Sequence, residues 1–201
     1  MPTIDIKVAA SADDAHQLSD GTTDVTAIAV NNIDAVDEWI AARFLDVTIP
    51  DDATIDVAYL QVGISVAAQD EPDHTLYGEN ADAPAAFSAG GAGTNNISGR
   101  TRTTATGTFS STNLGATTTP TYFNTGSLVS VIEELMAARS YAAGRDLVIM
   151  MHGSADGARD LGVIFWDGNP DFAPNLHIEY TAAGGAVAYR PPSRTLMGLG
   201  R

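Results

Sequence analysis

The chain has 201 residues, no cysteine, and 25 acidic against 10 basic side chains, a formal net charge of −15. That length supports one packed domain without cross-links, and the missing thiols exclude disulfides and thiolate metal sites. The acidic field opposes binding to nucleic acid and anionic lipid, which depends on basic groups that displace counterions, so neither is expected as a partner.

Short runs of alternating apolar and polar residues recur along the chain between Gly, Pro, Asp and Asn, the pattern of an all-β domain. The opening MPTIDIKVAASADD lacks the apolar stretch of a secretion signal, and no window reaches the roughly 18 to 20 apolar residues of a membrane span. Strands are predicted over 4–9, 25–30, 39–49, 55–67 and 97–109, with turns at SDGTTD, PDDA, QDEPD and SAGGAGTNN between them. The Gly-rich segment 88–96 reads as a mobile loop.

One segment breaks this rhythm. In TGSLVSVIEELMAARSYAAG, at 125–144, Leu128, Val131, Ile132, Leu135 and Met136 fall on one helical face, which predicts a short crossover helix with Met136 as core filler. Thr125 or Ser127 is placed to cap its start, and Gly144 lies past its end. Strands over 146–152 and 161–166 are expected to form a hairpin, and a last strand spans 176–180. After residue 181 the composition shifts. Residues 182–201 contain Arg190, Arg194 and Arg201, a Pro-Pro pair that favours an extended path, and apolar Leu196, Met197 and Leu199, which reads either as a disordered terminus or as an arm outside the domain whose apolar groups hold a neighbour.

LVIMMHGSADGARDLG, at 147–162, sets Ser154 two residues after His152. A hydrolase elbow needs serine at the centre of G-x-S-x-G on a strand-to-helix turn, whereas a second strand follows here, so no catalytic residue is assigned. His16, His74, His152 and His177 show no ligand spacing, and no transition metal or other cofactor is expected. His177 alternates out of the core, which predicts a solvent-facing ring. The acidic turns hold candidates for a structural calcium: Asp13 and Asp14 with Asp20 and Asp24, then Asp70, Glu71 and Asp73, then Asp156 and Asp160. None has the spacing of a regular calcium loop, and a chain at −15 has acidic turns without any ion. Trp39, Trp166, Tyr77, Tyr122 and Phe123 are the aromatics available to a sugar platform, although both tryptophans adjoin apolar runs where packing claims them. Arg100 and Arg102 are expected on one strand face, meeting either an acidic patch of a neighbouring copy or Asp82 or Glu79 of the same chain.

ARFLDVTIPDDATIDVAYLQVGI at 42–64, LYGENADAPAAF at 76–87, NISGRTRTTATGTF at 96–109, SLVSVIEELMAARSYAAGRDLVIMM at 127–151 and APNLHIEY at 173–180 follow in this order. Together they resemble the jelly-roll β-sandwich modules, similar to carbohydrate-binding modules and DNRLRE-type domains, of bacterial surface proteins and phage virion proteins. The resemblance implies one jelly-roll sandwich over 1–181 with a crossover helix, followed by the arm at 182–201. Such modules bind, display or assemble, and the fold alone does not select among these. A single domain without an export signal departs from the surface-protein pattern and fits a non-enzymatic virion protein made in the host cytoplasm. The expected role is a capsid decoration or cement protein of a bacteriophage, on the capsid surface. Its partners would be the major capsid protein and neighbouring copies of itself, as a homo-oligomer in the particle. Arg100, Arg102, Arg190, Arg194, Leu196, Met197 and Leu199 are the expected assembly contacts. The competing expectation is a glycan-binding module of an adhesin or tail fibre.

Overall fold

The computed structural model describes residues 1–27, 29–30, 38–66, 74–110, 119–137, 144–153 and 162–183. They form two antiparallel sheets packed face to face, an all-β sandwich with one short helix. The first sheet contains β1 (Thr3–Lys7), β4 (Ala29–Val30), β6 (Thr54–Val66), β9 (Thr121–Asn124), β11 (Gly162–Ile164) and β12 (Asn175–Thr181). The second contains β2 (Asp14–Gln17), β3 (Thr23–Asp24), β5 (Trp39–Val47), β7 (His74–Gly78), β8 (Gly107–Phe109) and β10 (Arg145–His152), in the order β3-β2-β5-β10-β7-β8.

β6 organises the first sheet. Gln61 pairs with both Asn175 and Asn124, and Ile64 with both Val163 and Thr121. A strand has only two edges, so β12 and β11 lie end to end along one edge of β6 while β9 occupies the other. Alternation then sorts the side chains: Ala58, Leu60, Val62 and Ile64 enter the inter-sheet core, and Tyr59 and Gln61 point outward.

β10 does not alternate, for a structural reason. Leu147, Ile149 and Met151 belong to the core between the sheets, while Val148 and Met150 join a second apolar cluster with Ala15, Trp39, Ala41, Phe87 and Ile97. The segment 79–106 lies over the outer face of the second sheet and plants Phe87 and Ile97 on it. A central strand buried on both faces needs apolar residues at every position, hence LVIMM. On β5, Phe44 and Val47 both face inward because a register shift interrupts the ladder, with Asp46 at φ 52°.

Helix α1 (Val129–Ala137) buries Val131, Ile132 and Leu135, and Ser127 Oγ accepts a bond from the Val129 amide at 3.3 Å. Met136 is half-buried against the core, as expected. Gly78 is required where the helix approaches β7, since a Cβ there would stand 2.7 Å from Leu135 Cδ1.

Several expectations are corrected. The strands expected at 146–152 and 161–166 do not pair: β10 lies between β5 and β7 in one sheet, and β11 joins β6 and β4 in the other. Of the predicted strand 97–109 only Gly107–Phe109 is a strand, the remainder being turns and one bridge between Glu79 and Arg102. Of the predicted strand 25–30 the described residues form a strand only at Ala29–Val30, and a separate short strand, Thr23–Asp24, precedes it. The Gly-rich segment 88–96 is tied down by backbone bonds: Thr23 and Gly90 exchange two, at 2.8 and 3.0 Å, and the Gly93 and Asn95 amides donate to Asp20 and Gly21. Ser154, Asp70, Glu71, Asp73, Asp156, Asp160, Arg190, Arg194, Leu196, Met197, Leu199 and Arg201 lie outside the described residues. Among the described residues no helix is long and apolar enough to cross a membrane.

Candidate functional site

On the outer face of the first sheet the registers set polar side chains in two rows, beside the point where the turn at Phe172 lies over Gly63. Asp5, His177 and Tyr59 are neighbours across β1, β12 and β6. His177 Nδ1 bonds Asp5 at 2.7 Å, Nε2 reaches Glu179 at 3.3 Å, and the ring stacks on Tyr59 with centroids 4.5 Å apart. Burial pulls the imidazolium down, but the two carboxylates outweigh it and hold the His177 pKa above its ordinary value. The second row runs through Lys7, Asn175, Gln61 and Asn124. Asn175 Nδ2 donates to Gln61 Oε1 at 2.8 Å, and Gln61 Nε2 donates to Asn124 Oδ1 at 3.2 Å. Beside it Lys7 Nζ donates to the Asp171 carbonyl and lies 5.6 Å from the centroid of Tyr122. The Tyr122 hydroxyl donates to the Asp171 and Ala173 carbonyls, and its pKa is pushed up to about 12 by burial and by Asp171. The result is a set of outward side chains whose rotamers are fixed by their neighbours, suited to covering by another surface.

The second sheet carries a cleft of about 470 Å³ beside its covering segment, lined by Gln17, Ser19, Trp39, Asn95, Ser98 and Arg102. Gln17 builds its wall: Oε1 accepts from the Ile97 and Ser98 amides, and Nε2 donates to Ser98 Oγ at 2.8 Å. Arg102 lies 4.9 Å from the Trp39 ring and 5.5 Å from that of Tyr77, and His152 stacks on Trp39 at 4.2 Å. Trp39 is only 3% exposed.

The two arginines expected together have separate tasks. Arg100 pairs with Glu79 at 2.7 Å, donates to the Asn96 and Ala85 carbonyls, and stacks 4.3 Å from Phe87, which fastens the covering segment from inside. It is therefore an internal brace; Asp82 takes Arg145 instead. Arg102 is exposed, with its guanidinium held near the Trp39 and Tyr77 rings. Among the other expected aromatics, Trp166 and Phe123 pack against the core.

No family model and no curated protein matches the chain.

The first calcium candidate dissolves into four separate roles. Asp13 pairs with Arg43 at 2.8 Å, and Asp20 and Asp24 accept from the Thr22 and Thr26 amides. Asp14, 1% exposed, accepts from the Trp166 amide at 2.8 Å through Oδ2, while Oδ1 has no hydrogen-bond partner among the described residues. Among the described residues no three His, Asp or Glu side chains are grouped to hold a metal ion. Burial raises the Asp14 pKa to about 7, with Asp167 and Asp13 adding repulsion and the Trp166 amide opposing. His177, expected to face solvent, does point outward but is held between Asp5 and Glu179. His152 serves as a stacking partner of Trp39. The amide ladder and Arg102's aromatic seat join residues far apart in sequence, which hides them from local pattern; the outward Gln61 of AYLQV is the one local sign of the ladder.

Proposed function

We propose that this chain is a structural virion protein of a bacteriophage, acting as a capsid decoration or cement protein. The observation that carries the reading is the outer face of the first sheet. Its amides and its His177–Tyr59 pair are locked by cross-strand contacts, beside the patch at Gly63 that the Phe172 turn covers. Prefixed rotamers lose little entropy when a second surface arrives, which favours assembly at modest buried area. The outer face of the second sheet instead carries the chain's own segment 79–106, which seats Phe87 and Ile97 on it. Support also comes from the jelly-roll resemblance, the acidic charge that keeps a crowded protein soluble, and an arm sequence carrying Arg190, Arg194, Leu196, Met197 and Leu199. Capsid lattices multiply weak contacts by symmetry, so each copy needs only a small interface.

The test is re-association. Purified protein is mixed with particles stripped of it and sedimented. Wild type returns in a fixed ratio to the major capsid protein, and Tyr59→Glu or removal of residues 184–201 lowers occupancy at least tenfold. Retention of full occupancy by both variants contradicts the assigned surfaces, and failure of wild type to bind contradicts the role.

A further inference from the structure

Among the described basic residues, Arg43, Arg100 and Arg145 each face a carboxylate, and Lys7 donates to a backbone carbonyl. Arg102 has no such acceptor among the described residues, in a chain with 25 acidic side chains. Its guanidinium is instead seated near the rings of Trp39 and Tyr77 at 4.9 and 5.5 Å. Such a seat holds the cationic plane while leaving the N–H fork at its edge free for a planar, bidentate anion. The fork borders the cleft of about 470 Å³. The remaining wall is short and polar: Ser98, whose oxygen is fixed by Gln17 Nε2 and whose proton stays available; Ser19; and Asn95, which uses Nδ2 on the Gly93 carbonyl and keeps Oδ1 as an acceptor.

The geometry points to this cleft as a binding site for an acidic saccharide, with Arg102 as the partner of the sugar carboxylate and Ser98, Ser19 and Asn95 as partners of ring hydroxyls. A neutral sugar that binds by stacking needs an open ring, and Trp39 is 3% exposed beneath Arg102 and beside His152. A neutral ligand would also leave the fork unanswered. An acidic peptide would also satisfy Arg102 and would offer backbone amides to the wall, so it is the competing ligand in the test. Arginine is the discriminating choice here, because its fork matches both carboxylate oxygens and a lysine offers only a point charge. The site does not depend on the virion reading, since it is formed entirely within one chain.

The experiment is titration of the full chain with galacturonic acid trisaccharide, a sialic acid trisaccharide, a neutral galactose trisaccharide and a hexamer of aspartate. Binding is read by calorimetry and by tryptophan fluorescence, with Trp39 as the ring at the site. At least one acidic sugar binds, the neutral sugar binds at least tenfold more weakly, Arg102→Gln abolishes binding, and Arg102→Lys weakens it tenfold or more. Ser98→Ala, which keeps the guanidinium, weakens binding severalfold and serves as the second variant if Arg102→Gln loses its unfolding transition. Absence of binding by both acidic sugars at millimolar concentration overturns the assignment, as does binding insensitive to Arg102→Gln and Ser98→Ala. Tighter binding of the aspartate hexamer than of either sugar reassigns the cleft to an acidic peptide. Particle association is measured separately, so either result here leaves the capsid role standing or falling on its own data.

Discussion

Replacing Asp14 by Asn should stabilise the protein, and only above acidic pH. The carboxyl is buried where β2 meets the turn after β11, with Asp13 and Asp167 nearby and one oxygen lacking a hydrogen-bond partner among the described residues. Its pKa rises from 3.8 to about 7, chiefly through burial. A folded state that holds its proton more tightly than the unfolded chain loses stability as pH climbs from about 4 to about 7, and the loss is complete above that. About three pH units correspond to at most about 4 kcal/mol at pH 8 and to almost nothing at pH 4. The amide introduced by Asp14→Asn would keep an oxygen for the Trp166 amide and gain an N–H to offer Asp167, without the charge. Urea unfolding followed by tryptophan fluorescence, with Trp166 adjoining the site, should show Asp14→Asn more stable than wild type by about 1 to 4 kcal/mol at pH 8, a range set by that ceiling. The two should nearly coincide at pH 4. A gain of equal size at both pH values, or a loss at pH 8, would refute the reasoning.

Three further perturbations probe the frame. Arg100→Ala removes the Glu79 ion pair, the bonds to the Asn96 and Ala85 carbonyls and the stacking on Phe87, at a cost of roughly 3 kcal/mol read as a lower urea midpoint, whereas an unchanged midpoint contradicts the brace. Gly63→Ala would place a Cβ 2.2 Å from the Phe172 carbonyl oxygen, so the backbone must shift at a cost of about 2 kcal/mol or more; a thermal midpoint equal to wild type contradicts that close approach. NMR titration should place the His177 pKa above 6.5, and Asp5→Asn should lower it. Because the folded-state value is raised, this contact contributes its stability below about 6.5 and loses it as pH rises through the folded pKa, so Asp5→Asn should cost more at pH 5.5 than at pH 9.

The alternation of AYLQV and LHIEY placed Leu60, Val62, Leu176 and Ile178 inside and identified their outward neighbours, and the structure agrees because each strand has one dry and one open face. LVIMM was legible as a strand, but a run buried on both sides looks the same whichever neighbour it has. Its pairing with β5 and β7 in place of β11 was invisible to local pattern. β2 reads DAHQ, types that disfavour strands, and exists because it pairs with β5 and seats Ala15 in the second cluster. Arg100 and Arg102 show the limit at the candidate site. Their spacing of two residues predicts one shared strand face, but turns at 96–100 send one into the covering segment and leave the other over rings from β5 and β7.

The capsid role is tested most directly by quantitative mass spectrometry of density-purified particles from the source of this sequence, measured as copies of the chain per major capsid subunit. The account predicts a ratio of one or a simple fraction of it, unchanged through a second gradient. Absence from the particles, or a few copies in each, would contradict a lattice-covering role.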